Sequence, residues 1–184
     1  MGGGDKGLLP LKSRRVLDFV LERLEPQVGQ VALNANGDAA RWAEFSVPVL
    51  PDGIPDYPGP LAGVLVGMEW AAAQGASHIV TVAADTPFFP PDLVPQLLFA
   101  AETQNQPIAL AATRGGGKLW RHPTFGLWPV NLAADLRTAL ESGVRKVVAW
   151  TDTHGTALAE FPTQPFDPFF NINTPEDLAL AQGA

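Results

Sequence analysis

The run His78-Ile-Val-Thr-Val-Ala-Ala-Asp85 constrains this chain more than any other stretch, because it is apolar on both faces and closes on a carboxylate. A strand with one wet face alternates; one that does not alternate is buried on both faces, as central parallel strands are. Parallel neighbours need helical crossovers, and the flanking segments supply them. Leu61, Val64, Leu65, Met68, Ala71 and Ala72 form a helical stripe ahead of it, with Gly75 as a stop. Leu93, Val94, Leu97, Leu98 and Ala101 form another behind it, prepared by Pro90-Pro91. Similar readings give a helix capped by Ser13 and running to about Glu25, a strand over 30–34, a brief strand near 47–50, a strand over 107–113, a helix over 130–141, strands over 156–161 and 169–173, and a final helix opened by Thr174-Pro175-Glu176-Asp177. The alternation predicts an α/β fold of three α/β/α layers around a mostly parallel, Rossmann-like sheet. At 184 residues, one domain over 1–184 is expected.

Composition narrows the function. The chain has no cysteine, which excludes thiolate metal sites, and its three dispersed histidines disfavour zinc, so any metal is expected to take oxygen ligands. A net charge of −7 argues against nucleic-acid binding. No apolar run reaches the length of a membrane span and no signal peptide is evident, so a cytoplasmic location is expected. Charge is also segregated. From Trp42 to Thr113 there is no Lys or Arg, whereas Arg114 to Lys146 carries six basic residues. An acidic half suited to a hard cation precedes a basic segment suited to an anion, although uneven surface decoration gives the same pattern.

In open α/β sheets ligands bind beyond the C-terminal strand ends, so polar residues there are the first candidates. Asn34 and Asn36 follow the first strand, Asp85 ends the most apolar one, and Asn171 and Asn173 share one face of an extended segment. Asp85 suits Mg²⁺, which binds through one or two carboxylates plus substrate phosphates, with Asn173 as a neutral second oxygen ligand. As an alternative, Asp85 serves a turn or cap before Thr86-Pro87, and Asn173 orients the chain before Thr174. Lys6, in Gly2-Gly-Gly-Asp-Lys-Gly7, is placed to take charge on a leaving pyrophosphate, unless this segment is a plain tail. Asp52 sits in a loop with four prolines between 51 and 60, where a carboxylate can accept the paired N–H edge of guanine. Gly59-Pro60 at a helix start admits a ligand close to the backbone. Arg114, Lys118, Arg121 and His122 flank Gly115-Gly-Gly117 as a flexible basic loop able to clamp a phosphate, or as an ordinary solvated one.

The order of these motifs is more specific than any one of them. Met1-Gly-Gly-Gly-Asp-Lys-Gly-Leu8, Asn34-Ala-Asn36, Asp56-Tyr-Pro-Gly-Pro-Leu-Ala-Gly63, Asp85-Thr-Pro87, His122-Pro-Thr124 and Asn171-Ile-Asn-Thr-Pro-Glu-Asp-Leu178 together resemble the molybdenum cofactor guanylyltransferases. The resemblance implies transfer of GMP from GTP to the terminal phosphate of molybdenum-molybdopterin, with pyrophosphate released and Mg²⁺ as cofactor. It implies GTP contacts at Lys6, Asn34, Asp52 and Asp85, metal at Asp85 with support from Asn173, catalytic roles for Lys6 and Asp85, and the pterin cofactor near Gly59, Pro60, Gly63, Arg121 and His122. Molybdoenzymes or cofactor-delivery proteins are the implied partners. Members of that family begin with a hydrophobic strand and a Gly-rich, Arg-containing turn just ahead of the position of Met1, and this chain lacks both. A misplaced or truncated start is therefore expected. The alternatives are a cytidylyl- or sugar-phosphate nucleotidyltransferase, and a non-catalytic homologue that binds the pterin or a partner.

Overall fold

The computed structural model describes residues 5–53 and 59–183. Gly2-Gly3-Gly4 and Asp56 lie outside the described residues. The chain opens with a small antiparallel pair, β1 (Pro10–Leu11) and β2 (Arg14–Arg15). It continues into α1 (Val16–Leu24), which buries Val16, Leu17, Val20 and Leu24 along one stripe. Ser13 is not its cap: the β1–β2 pairing takes up that residue's turn, and the Arg15 N–H donates instead to Asp18 Oδ2 at 2.7 Å. Next come β3 (Leu33–Asn34), β4 (Val49–Leu50), α2 (Pro60–Ala73), β5 (His78–Thr81), α3 (Leu93–Thr103), β6 (Ile108–Gly115), β7 (Lys118–Pro129), α4 (Ala133–Glu141), α5 (Val147–His154), β8 (Thr156–Phe161) and α6 (Pro175–Gly183). The predicted strand over 169–173 has no ladder among the described residues and runs as irregular chain.

The main sheet has the order β5-β7-β6-β8. β7 is antiparallel to both β5 and β6, and β6 is parallel to β8, so β5, β6 and β8 point the same way. β3 and β4 form a separate parallel pair. The sheet is therefore mixed, and its one reversed strand arises where the sequence reading placed a flexible basic loop. Gly116 and Gly117, at φ +58° and +75°, make a tight two-residue turn that joins β6 to β7 as a long hairpin.

β6 shows why there are three layers. Ala109 and Ala111 face a cluster with Leu17, Val20, Leu93 and Leu97 from α1 and α3, whereas Ile108 and Leu110 face Leu61, Met68, Leu136 and Trp150 from α2, α4 and α5. Small side chains on one face and large ones on the other let helices seat at different distances from the same strand. Each fully buried Leu or Phe contributes roughly 1.5–3 kcal/mol of transfer free energy. Trp128, at 0% exposure, satisfies its indole N–H on Thr81 Oγ1 at 2.9 Å and ties β7 to β5.

β5 departs from its predicted central place. It pairs with β7 on one flank; on the other lies a cavity of about 570 Å³ lined by residues such as Leu17, Val31, Val64, Ile79 and Val80. The ladder stops at Thr81, and the chain runs on unpaired to Asp85.

Candidate functional site

The site begins where β5 runs out. Asp85 sits within a turn in which the Thr86 N–H donates to the Ala83 carbonyl, and its own carbonyl accepts from the Ile172 N–H at 3.0 Å. That bond brings the end of the chain to the strand tip. Ile172 is fully buried beside Leu11 and Val16, which turns its neighbours Asn171 and Asn173 outward from the core. Asn171 Nδ2 donates to Asp85 Oδ1 at 2.8 Å, and Thr86 Oγ1 donates to the same oxygen at 3.3 Å. Lys6 Nζ donates to Asp85 Oδ2 at 3.1 Å and also to Asn173 Oδ1. Residues 79 and 167 positions away in the chain thus meet at the one Lys6 ammonium. The side chains of Lys6 and Asp85 are 36% and 18% exposed, so the pair is open enough to exchange partners yet partly sheltered from water.

Asp177 fixes the far wall. Its Oδ2 accepts from the backbone N–H groups of Asn173 and Thr174, both at 2.9 Å, and Thr174 Oγ1 accepts from the Asp177 N–H. The Asn173 N–H, followed by that of Thr174, holds this exposed carboxyl below the usual range. The predicted cap over 174–177 therefore forms, and it locks the backbone on which Asn173 sits.

Whether these residues suit a hard cation can be judged from their donors. Among the described residues no group of three His, Cys, Asp or Glu side chains converges, so an all-protein cage is not on offer. Asp85 supplies carboxylate oxygens, and Asn171 Oδ1 is buried without a hydrogen-bond partner beside it. One carboxylate with neutral amide oxygens fits Mg²⁺, which takes the rest of its shell from substrate phosphates and water. Asn171 escaped assignment in the sequence even though its period-two spacing from Asn173 was the available signal.

A second polar group lies at the tips of β3 and β4. Asn34 Nδ2 donates to Asp52 Oδ1 at 2.9 Å and to the Leu50 carbonyl at 3.0 Å. Asn36 Nδ2 donates to Asp52 Oδ2 at 2.7 Å, while Asn36 Oδ1 accepts the Asp52 N–H at 2.8 Å. Each carboxylate oxygen of Asp52 thus receives one amide N–H. An ionised carboxylate has about four acceptor positions, so one on each oxygen stays available. Gly63 makes this arrangement possible: a Cβ there would lie 2.3 Å from Asn34 Oδ1. Gly59, at φ +134°, and Pro60 open α2.

The basic segment behaves differently. Arg114 donates two bonds to Glu160, at 2.8 and 3.1 Å, and Arg121 donates to Asp152 at 2.7 Å. His122 Nε2 lies 2.8 Å from Thr113 Oγ1, and its ring stacks on Phe169 at 4.3 Å. Burial pushes the His122 pKa down, with Asp167 opposing. Because alternate strand residues face opposite ways, Arg121 and His122 point away from each other. The flexible loop expected around Gly115-Gly-Gly117 is instead a tight turn in a hydrogen-bonded hairpin.

Comparison with known proteins agrees with this fold. The model of the MobA-like NTP transferase domain matches residues 1–156. A molybdenum cofactor guanylyltransferase of Rhodopseudomonas palustris is 49% identical, covering 99% of this chain and 86% of its own length. One from Cereibacter sphaeroides is 47% identical, covering 99% and 89%. Among solved structures, molybdopterin-guanine dinucleotide biosynthesis protein A from Archaeoglobus fulgidus superposes with a TM-score of 0.71 at 22% identity, covering 98% of this chain and 90% of that one. The 4-diphosphocytidyl-2C-methyl-D-erythritol synthase of Anaerococcus prevotii does so with 0.75 at 12%, covering 98% and 91%. At such identities these likenesses establish the Rossmann-like nucleotidyltransferase fold.

Proposed function

Because the chain belongs to the MobA-like NTP transferase domain family, we propose that it transfers GMP from GTP to the terminal phosphate of molybdenum-molybdopterin, forming the guanine dinucleotide and releasing pyrophosphate. The observation that carries this reading is the meeting of Lys6, Asp85, Asn171 and Asn173 at one strand tip, with Asp52 presented at two others.

An oxygen of the acceptor phosphate attacks the α-phosphorus of GTP; a new P–O bond forms, the bond to the bridging oxygen toward the β-phosphorus breaks, and pyrophosphate leaves with the electron pair. The nucleophile is already anionic, so no general base is required and positioning with charge neutralisation dominates. Lys6 exchanges Asp85 for the triphosphate and stabilises the leaving group. Asp52 accepts the N1–H and N2–H₂ edge of guanine on its two remaining acceptor positions, with Asn34 beside it. Asp85 would hold Mg²⁺ with amide oxygens from Asn171 or Asn173; when bound, the ion neutralises phosphate charge and aligns the reacting oxygens. Gly59, Pro60, Gly63, Arg121 and His122 remain the proposed pterin side, of which His122 is tied through Phe169 to the segment bearing Asn171. The reaction uses soluble substrates in the cytoplasm. Among the described residues no helix is long and apolar enough to cross a membrane.

The test is transfer of label from α-phosphate-labelled GTP or CTP to molybdenum-molybdopterin in the presence of Mg²⁺. Labelled dinucleotide from GTP and not from CTP is expected. Transfer from CTP alone would assign cytidylyl transfer, and transfer from neither would overturn the enzymatic reading.

A further inference from the structure

Arg41 lies outside every motif discussed so far, yet it uses all three guanidinium nitrogens. Nη1 pairs with Asp5 Oδ2, Nη2 donates to the Asn36 carbonyl at 2.6 Å, and Nε donates to the Asp38 carbonyl at 3.0 Å. Asn36 in turn holds both the carboxylate and the backbone N–H of Asp52. Asp5 immediately precedes Lys6. A continuous chain of hydrogen bonds therefore runs from the lysine loop through Asp5, Arg41 and Asn36 to the Asp52 carboxylate. The turn that carries Arg41 is anchored by its neighbour Trp42, which is 4% exposed and packs within 3.6 Å of where a Cβ on Gly7 would sit.

We infer that Arg41 is a positioning residue for base selection: it fixes Asn36, and through it the orientation of Asp52, relative to the loop that bears Lys6. This rests on the proposed guanine-accepting role of Asp52. The rotation of the carboxylate decides whether its two open acceptor positions face the two guanine donors together. Asn36 restrains one oxygen, and only a fixed Asn36 backbone makes that restraint specific. Lysine cannot replace the fork, because a single ammonium cannot reach three acceptors in one plane. The Arg41–Asp5 pair is exposed, with side chains 38% and 30% accessible, so its loss should disturb the fold little.

The experiment measures equilibrium binding of GTP and of ITP, which lacks the 2-amino group, to the full chain and to the Arg41→Lys, Arg41→Met and Asp52→Ala variants, with thermal melts of each. Charge-assisted hydrogen bonds of this kind predict that the unmodified chain binds GTP about tenfold more tightly than ITP. Both Arg41 variants should lose most of that ratio while melting within a few degrees of the parent, and Asp52→Ala should abolish it. A ratio unchanged in both Arg41 variants would overturn the inference while leaving Asp52 in place. A ratio of one in the unmodified chain would overturn the guanine role of Asp52, and this inference with it.

Discussion

The tips of β3, β4 and β5 and the β6–β7 hairpin both carry polar and charged side chains, but those side chains are partnered in different ways. At the tips, Lys6, Asp85, Asn171 and Asn173 bond one another across the length of the chain, and Asn34, Asn36 and Asp52 do so across two strands. Around the hairpin, Arg114 and Arg121 each pair with a different acid, Glu160 and Asp152. Exposed pairs of that kind are screened by water and easily exchanged. What separates the two regions is convergence: the tip side chains hold one another, and the hairpin arginines are each held by a different acid.

Substitutions can break or sharpen this contrast. The largest effect is expected for Lys6→Met, which removes the cation assigned to the leaving group: kcat/KM for GMP transfer should fall on the order of 10²-fold, with the melting temperature little changed. Asp52→Ala should leave turnover measurable and cut the preference for GTP over CTP about tenfold, read from competition between the two nucleotides. Arg121→Ala, which removes a side chain proposed for the pterin side, should raise KM for the acceptor several-fold with kcat little changed, on the order of 1 kcal/mol of binding. A change in kcat/KM of less than about threefold would instead leave Arg121 as a surface residue held by Asp152, and the contrast would sharpen.

The smallest effect concerns His122. Burial favours its neutral ring and holds its pKa below the ordinary value of about 6.5. As pH falls, the unfolded chain takes up the proton first, so stability that is intact above about 6.5 is lost as pH drops through the lower folded value. The ring is only half-buried, so melting curves at pH 7 and pH 5 should differ by about 2 °C less in His122→Gln than in the parent.

Much of this architecture was legible in the chain. The two-faced apolarity of 78–84 announces the α/β class, Asn34, Asp85 and Asn173 are legible as polar residues at strand ends, and Asp52 as a carboxylate in the proline-rich loop. What the sequence could not show was pairing. The Gly115-Gly-Gly117 stretch looks the same as a solvated loop or as a hairpin turn, because both need glycine, and only the ladder from Lys118 to Pro129 decides between them. The role of Asn171 was hidden for a related reason: its place depends on Ile172 being drawn into the core beside Leu11 and Val16, a contact between the two ends of the chain. Arg41 resembled any surface arginine until its three acceptors were located.

The most direct test of a convergent centre is pyrophosphate release from Mg-GTP with molybdenum-molybdopterin by the unmodified chain, Lys6→Met, Asp85→Asn and the double variant. Residues that act as one unit lose activity non-additively. Each single variant should fall by ~10²-fold or more, and the double variant should be no worse than the weaker single. Single variants that retain full release, or losses that simply multiply in the double variant, would contradict the account.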